Sequence, residues 1–266
     1  MSTGRLPPED RLPRQGRFAT LNPGECLYRN ALATPADVAD WRVEGQIAAS
    51  FPNGRLRMES VLPAGQGQKA NFLMWCPVVL PDGVCIEFDF HPVREPGLAM
   101  FWFCARGRQG EDLFDPSLPP RSGEYDQYRY GAIDAYHAAY FRRGRPGSFQ
   151  ICNLRKSHGF RLVAQGGDPI PSGTYEPPYR IRVLVQDGWV QFEIDDLVIY
   201  TWHDDSPLRG GRIGFRQMAP LVAEYSDLTV WKLAPISFLP NNAHDCATVL
   251  GRNEMGVSGA GSRSDP

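Results

Sequence analysis

The densest run of polar and aromatic side chains is Gly123-Glu124-Tyr125-Asp126-Gln127-Tyr128-Arg129-Tyr130, followed by Asp134, Tyr136, His137, Tyr140, Arg142 and Arg143. Phenol, imidazole and guanidinium groups at this density suit a sugar. The apolar face of a sugar ring stacks on an aromatic ring, while forked donors hold its hydroxyls or a carboxylate. On a uronate, Arg142 or Arg155 would neutralise the carboxylate and acidify the neighbouring C–H, and Tyr140 or His137 would remove and return protons. That is β-elimination chemistry. The bland alternative makes the tyrosines caps of a sheet edge and the arginines a solvated stripe.

Period-two counting tests this set. Tyr136, Tyr140 and Arg142 share one face of a strand, and His137 falls on the other unless a bulge re-aims it. In the next strand Asn153 and Arg155 share a face with Phe149 and Ile151, and Gln165 continues it across a hairpin. Asn153, Arg155 and Gln165, with Tyr125 and Tyr128 from the preceding loop, are therefore expected to bind substrate beside His137, Tyr140 and Arg142.

Carboxylates offer a rival chemistry. Val84-Cys85-Ile86-Glu87-Phe88-Asp89-Phe90 puts Glu87 and Asp89 on one strand face, which resembles part of the Glu-x-Asp-x-x-Glu strand of sandwich-fold glucanases. His91-Pro92 follows where the third carboxylate would stand, so a retaining pair lacks its partner. Glu87 is expected as a wall of the groove, with hydrolysis through Glu87, Asp89 or Glu124 as the alternative. Asp195-Asp196 and His203-Asp204-Asp205 show no recognised calcium spacing and read as turns. No metal and no cofactor is expected.

These residues need a scaffold of strands. Apolar runs of strand length recur over residues 54–60, 71–76, 84–90 and 99–105. They continue over 136–142, 149–155, 160–165, 179–185, 190–194, 198–202, 211–216 and 226–233. Asp187-Gly188 and Ser157-His158-Gly159 supply hairpin turns. Only 35–40 and 126–139 have any helical pattern, and the latter competes with a strand starting near Ala135. Two antiparallel sheets packed face to face follow, an all-β sandwich. The hairpin from Arg180 to Trp202 alternates Ile181, Val183, Phe192 and Ile194 against Arg182, Glu193 and Asp195, which predicts a solvated outer face.

Composition agrees. The chain has 266 residues, 42% hydrophobic and 22% charged, with 24 prolines and 27 glycines for the turns. A formal net charge of −2 gives no bulk attraction to nucleic acid or an anionic surface. Arg142-Arg143-Gly144-Arg145 with Arg155-Lys156 is the one basic concentration, so a nucleic-acid partner is not expected. No segment approaches transmembrane length and the start has no uninterrupted apolar stretch, so the expected location is cytoplasmic without membrane association. Cys26, Cys76, Cys85, Cys104, Cys152 and Cys246 are widely spaced and read as free thiols, mostly buried. No Gly-rich phosphate loop or Gly-x-Ser-x-Gly elbow appears. Residues 1–24 and 236–266 read as an extension and a tail around one domain over 25–235; a homodimer is compatible with the sequence.

Five segments taken together are specific: Gly110-Glu111-Asp112-Leu113-Phe114-Asp115-Pro116, Gly123-Glu124-Tyr125, Tyr140-Phe141-Arg142-Arg143, Cys152-Asn153-Leu154-Arg155-Lys156-Ser157, and Gly214-Phe215-Arg216-Gln217-Met218-Ala219-Pro220. They resemble the YesU-like bacterial proteins, over about residues 40–233. The resemblance implies a concanavalin-A-like jelly-roll sandwich and a link to bacterial use of plant-wall sugars, rhamnose-containing pectin included, with no assigned activity. It marks His137, Tyr140, Arg142, Asn153, Arg155, Arg216 and Gln217 as positions in shared motifs and adds Arg216 and Gln217 to the expected substrate-binding set. The expectation is a carbohydrate-active enzyme taking a small carbohydrate substrate by elimination. Hydrolysis, or sugar binding without catalysis, are the alternatives, since a fold does not fix a function.

Overall fold

In the computed structural model, residues 23–144 and 150–234 are described. Fifteen strands follow one another: β1 (Pro23–Asn30), β2 (Arg42–Glu44), β3 (Ile47–Ser50), β4 (Leu56–Ser60), β5 (Phe72–Trp75), β6 (Val84–Arg94), β7 (Gly97–Gly107), β8 (Ile133–Arg143), β9 (Ile151–Ser157), β10 (Arg161–Gly167), β11 (Tyr179–Gln186), β12 (Trp189–Ile194), β13 (Leu197–His203), β14 (Arg212–Met218) and β15 (Val222–Leu233). They form two sheets. The first runs β13-β12-β11-β6-β15-β4-β3, with β1 also paired to β15, and the second runs β10-β9-β8-β7-β14-β5-β2. Among the described residues every strand pairing is antiparallel.

Alternation decides what fills the space between the sheets. Ile86, Phe88, Phe90, Val183, Phe192 and Tyr225 from the first sheet meet Phe101, Phe103, Tyr136, Tyr140, Leu154 and Phe215 from the second, all buried. Phe88 sits centrally, with ring centroids 4.9 Å from both Phe101 and Phe215. A Phe88→Ala change there costs about 3–5 kcal/mol through lost burial and the cavity left behind.

Each strand span expected from the apolar runs contains a strand. The Asp187-Gly188 hairpin has φ of 49° and 83° at its central residues, with Gln186 paired to Trp189. Two consecutive positive φ values are what a two-residue turn matching the strand twist requires. Strands β1, β2 and β3 went unseen because they are short or weakly patterned; β3, Ile-Ala-Ala-Ser, has one partly buried residue and low β-propensity alanines.

Two expectations are corrected. The helical pattern over 126–139 yields one α-turn, α1 (Asp126–Arg129), and the remainder joins β8, where pairing to β7 and β9 overrides local propensity. The outer face of β11 and β12 is not solvated: Arg182 and Glu193 are buried and ion-paired. Cys76, Cys85, Cys104 and Cys152 are buried free thiols, whereas Cys26 is exposed. Cys246, Arg145, Phe149, residues 1–22 of the expected N-terminal extension and the expected C-terminal tail lie outside the described residues, while Pro23 and Gly24 already belong to β1.

Candidate functional site

The outer face of the second sheet carries most of the candidate residues. Residues there alternate with the core positions, and strand register lines them into two transverse rows. Arg155, His137, Trp102, Gly214, Trp75 and Arg42 stand side by side from β9 to β2. Two residues along, Asn153, Ala139, Met100, Arg216, Leu73 and Glu44 form the second row. Gln165 of β10 extends it, its amide Nε2 donating to Asn153 Oδ1 at 2.8 Å. Gly214 makes room in the first row, since a Cβ there would lie 2.5 Å from the Trp75 ring. Trp75 and Trp102 thus meet edge-on at 6.3 Å.

The β7–β8 connection lies over half of this face. Leu113, Phe114, Leu118, Tyr125 and Tyr128 pack on Leu73, Trp75, Met100 and Trp102 as a second small core. Glu44 is its anchor. Its carboxylate accepts from Arg121 Nη2 at 2.7 Å, Tyr128 Oη at 2.8 Å and Trp75 Nε1 at 2.9 Å. Gly123 (φ 92°) lies so close to the Asn71 carbonyl that a side chain would clash, and its own carbonyl accepts from Arg216 Nη1 at 2.6 Å.

His137 lies beneath Tyr125. It is fully buried, stacked on Trp102 with centroids 4.1 Å apart, and its Nε2 is 3.3 Å from Tyr125 Oη. Burial, with the nearby Arg155 and Arg216 charges, lowers its pKa to about 3, so the imidazole is neutral at ordinary pH. Burial moves Tyr125 the opposite way, up to about 12, against the pull of Arg155, Arg216 and Arg129. Beyond Tyr125 the face opens onto Phe160, which is 43% exposed. The Arg155 guanidinium lies 3.7 Å and that of Arg129 5.1 Å from the Phe160 ring centroid.

The structure therefore brings Tyr125, His137, Asn153, Arg155, Gln165 and Arg216 to one face of one sheet. It separates Tyr140, Gln217, Tyr128 and Glu87 from them, whereas the Arg142 charge still acts on Arg155. Tyr140, on the opposite parity from His137, is buried in the inter-sheet core against Phe90 and Phe192 and cannot touch a ligand on the outer face. Alternation with Tyr136 and Ala138 puts Tyr140 inside, and a bulge at Phe141 (φ 49°) keeps that residue inside as well and returns Arg142 to the exposed side. Gln217 points into the sandwich and donates to the Met58 and Leu221 carbonyls. Tyr128 is buried under the connection as a structural donor to Glu44. Glu87 belongs to the other sheet, where it binds Arg182 at 2.5 Å, so it is no wall of this site.

Sequence reasoning missed Trp102, Phe160 and Glu44. In Met100-Phe101-Trp102-Phe103 both parities are apolar, so alternation could not tell an outward tryptophan from a core one. Among the described residues, no group of three or more His, Cys, Asp or Glu is placed to hold a metal ion, and no helix is long and apolar enough to cross a membrane.

With this geometry in view, comparison with known proteins is decisive about kinship. Residues 25–230 match a family described as a domain of unknown function (DUF1961). The chain belongs to that family. An uncharacterised relative within reach of it, YesU of Bacillus subtilis, is 46% identical over 215 residues, covering 78% of this chain and 96% of the relative. A Bacillus subtilis crystal structure, described as a protein of unknown function with a galectin-like fold, superposes with a TM-score of 0.77 at 44% identity, covering 81% of this chain and 99% of that one. The jelly-roll sandwich expected from the YesU-like motifs is thus the observed fold. A native glycosidic hydrolase shares it more distantly, with a TM-score of 0.53 at 11% identity over 77% of this chain and 94% of that one, a likeness of fold alone.

Proposed function

We propose that this DUF1961 protein is a carbohydrate-active enzyme whose site is the outer face of the second sheet, and that it cleaves a glycosidic bond by β-elimination. The carrying observation is the Tyr125–His137 pair, two titratable groups in contact whose environments push their pKa values apart, to about 12 and about 3. Such divergence assigns an acid and a base.

Tyr125 stays protonated at neutral pH and His137 stays unprotonated. With substrate bound against the pair, the C–H proton passes to His137 Nε2, the C–O bond breaks with its electron pair on the leaving oxygen, and Tyr125 Oη protonates that oxygen as the C=C bond forms. Acid and base stand on the same side of the substrate, which fits a syn elimination. Arg155, Asn153 and Gln165 hold hydroxyls, and Phe160 offers an exposed ring for stacking. The expected cytoplasmic location favours a short imported oligosaccharide. A binding-only reading draws on the same exposed Phe160, which needs no base. Hydrolysis loses Glu87 and Asp89, which lie on the other sheet, and of its expected carboxylates keeps Glu124, next to Tyr125.

Incubation with rhamnose- and uronate-containing oligosaccharides, following the absorbance of unsaturated products and the appearance of reducing ends, tests this. Unsaturated products that vanish in Tyr125→Phe with the fold intact are expected. Reducing ends without unsaturation would replace elimination by hydrolysis, and binding without turnover would make the protein lectin-like.

A further inference from the structure

Arg216 is a buried cation with too few partners. It is fully buried, yet among the described residues only its Nη1 donates a hydrogen bond, to the Gly123 carbonyl, while Nε and Nη2 have none. The Tyr125 and Tyr128 rings lie over it, each 5.3 Å away. Glu44 is the carboxylate near it, but that group already holds Arg121, which is itself 5% exposed. Two guanidinium groups therefore share one carboxylate beneath the β7–β8 connection, leaving a positive charge in excess. A desolvated, unpaired charge costs several kcal/mol.

Other orphaned atoms lie on the same face. Trp102 Nε1 and His137 Nδ1 are buried without hydrogen-bond partners. The Trp102 indole can only donate, and with Nε2 accepting from Tyr125 the neutral imidazole carries its hydrogen on Nδ1. Four unused donor positions thus belong to three residues in adjacent strands: Arg216 Nε and Nη2, Trp102 Nε1 and His137 Nδ1. Unused donors on neighbouring strands, one of them carrying a surplus positive charge, suit an anion with acceptor oxygens.

We propose that Arg216 is the anchor of a carboxylate subsite beneath Tyr125, so that the ligand of this face is an acidic sugar whose carboxylate replaces the missing partner. The sugar half of this statement rests on the proposed function; the carboxylate half rests on Arg216 alone. Entry needs the Tyr125 ring to swing from His137, breaking that 3.3 Å contact and its ring contacts with Arg216, Trp102 and Phe160, while Arg121, Gly123 and Tyr128 keep the connection anchored. A carboxylate bound at Arg216 also cancels one of the two charges that depress His137, making it a stronger base when substrate is present. It places the carboxylate beside the C–H to be cleaved.

Nitrogen–proton correlation spectra of the wild-type protein, following the Trp102 indole and Arg216 Nε signals, test this with three probes: a galacturonate trisaccharide, its methyl ester and sodium acetate. The trisaccharide is expected to shift both signals, and the ester to bind about tenfold or more weakly, the loss of a charge-assisted hydrogen bond. Arg216→Gln is expected to erase that preference; the wild-type comparison stands whether or not this variant folds. Equal binding of acid and ester, or sugar binding that leaves both signals still, overturns the carboxylate subsite and leaves the sugar reading standing. Shifts with acetate but with neither sugar keep the anion subsite, identify its ligand as a free carboxylate and sink the sugar reading. No shift with any probe overturns the proposal.

Discussion

Tyr125 Oη and His137 Nε2 are 3.3 Å apart, with His137 fully buried and held flat against Trp102. Because His137 stays neutral down to about pH 3 and Tyr125 stays protonated up to about 12, the acid–base pair keeps one protonation state through the ordinary working range. The rate of the unliganded enzyme with substrate, measured as kcat/KM, is expected to show no titration near 6.5, the usual histidine value. Tyr125→Phe keeps the ring packing and removes the proton, so turnover should fall about 10²–10⁴-fold with binding retained. Tyr140→Phe, in the core, should leave turnover unchanged. A steady-state comparison of the two variants decides between them.

Two histidines make stability depend on pH. Burial, then the Arg55 charge, lowers His91 to about 4, and His137 lies lower still. Both folded values are below the unfolded value, so between them the unfolded chain binds more protons. Their contribution is fully present above about pH 6.5 and is lost as pH falls toward 4 and below, at up to about 1.4 kcal/mol per pH unit for each. Urea midpoints measured from pH 8 down to pH 5 should decline, and His91→Gln should reduce the slope. A flat profile in the wild-type protein would remove the premise that both imidazoles are buried neutral.

The sandwich was readable in the sequence because apolar runs and turn residues mark strands locally, without knowledge of partners. Most of the face that carries the site was readable too: Asn153, Arg155 and Gln165 follow from parity, which also set His137 apart from Tyr140. What parity could not supply was which side was the core. Tyr140 carries an aromatic ring suited to either environment, and the bulge at Phe141 returned Arg142 to the outside after Tyr140 had gone in. Glu87 was placed in the groove because a sequence does not say which sheet a strand joins; β6 pairs with β11 and β15, away from β8 and β9. Trp102 and Phe160 acquire meaning only from the neighbours that register and the β9–β10 turn bring to them.

The carboxylates of the first sheet provide a negative control for the site. Glu87 pairs with Arg182 at 2.5 Å and Asp89 with Arg180 at 2.7 Å. Glu87→Gln and Asp89→Asn should therefore leave any turnover within about twofold of wild type, the size of change expected when no contact with the transition state is lost. Their cost should appear in stability, because each leaves an arginine with a weaker partner. Loss of activity with unchanged thermal stability in either variant would move the chemistry to the first sheet.

Glu44 ties the fold to the site. Its carboxylate accepts hydrogen bonds from Arg121, Tyr128 and Trp75, and it is the counter-charge near both Arg121 and Arg216. Glu44→Gln retains the shape and two of the acceptor contacts but leaves two buried guanidinium groups without a carboxylate. The cost of breaking a buried pair is about 3–5 kcal/mol, and at roughly 2–4 °C per kcal/mol for a chain of this size the midpoint should fall by about 6–20 °C. Tyr128→Phe, which removes two hydrogen bonds, one donated to Glu44 and one accepted from the Gly123 N–H, but no charge, should cost about 2 kcal/mol. Thermal unfolding of the two variants compares them directly. A loss in Glu44→Gln no larger than in Tyr128→Phe would mean that Glu44 does not balance the buried arginines, and the surplus positive charge assigned to Arg216 would then need another explanation.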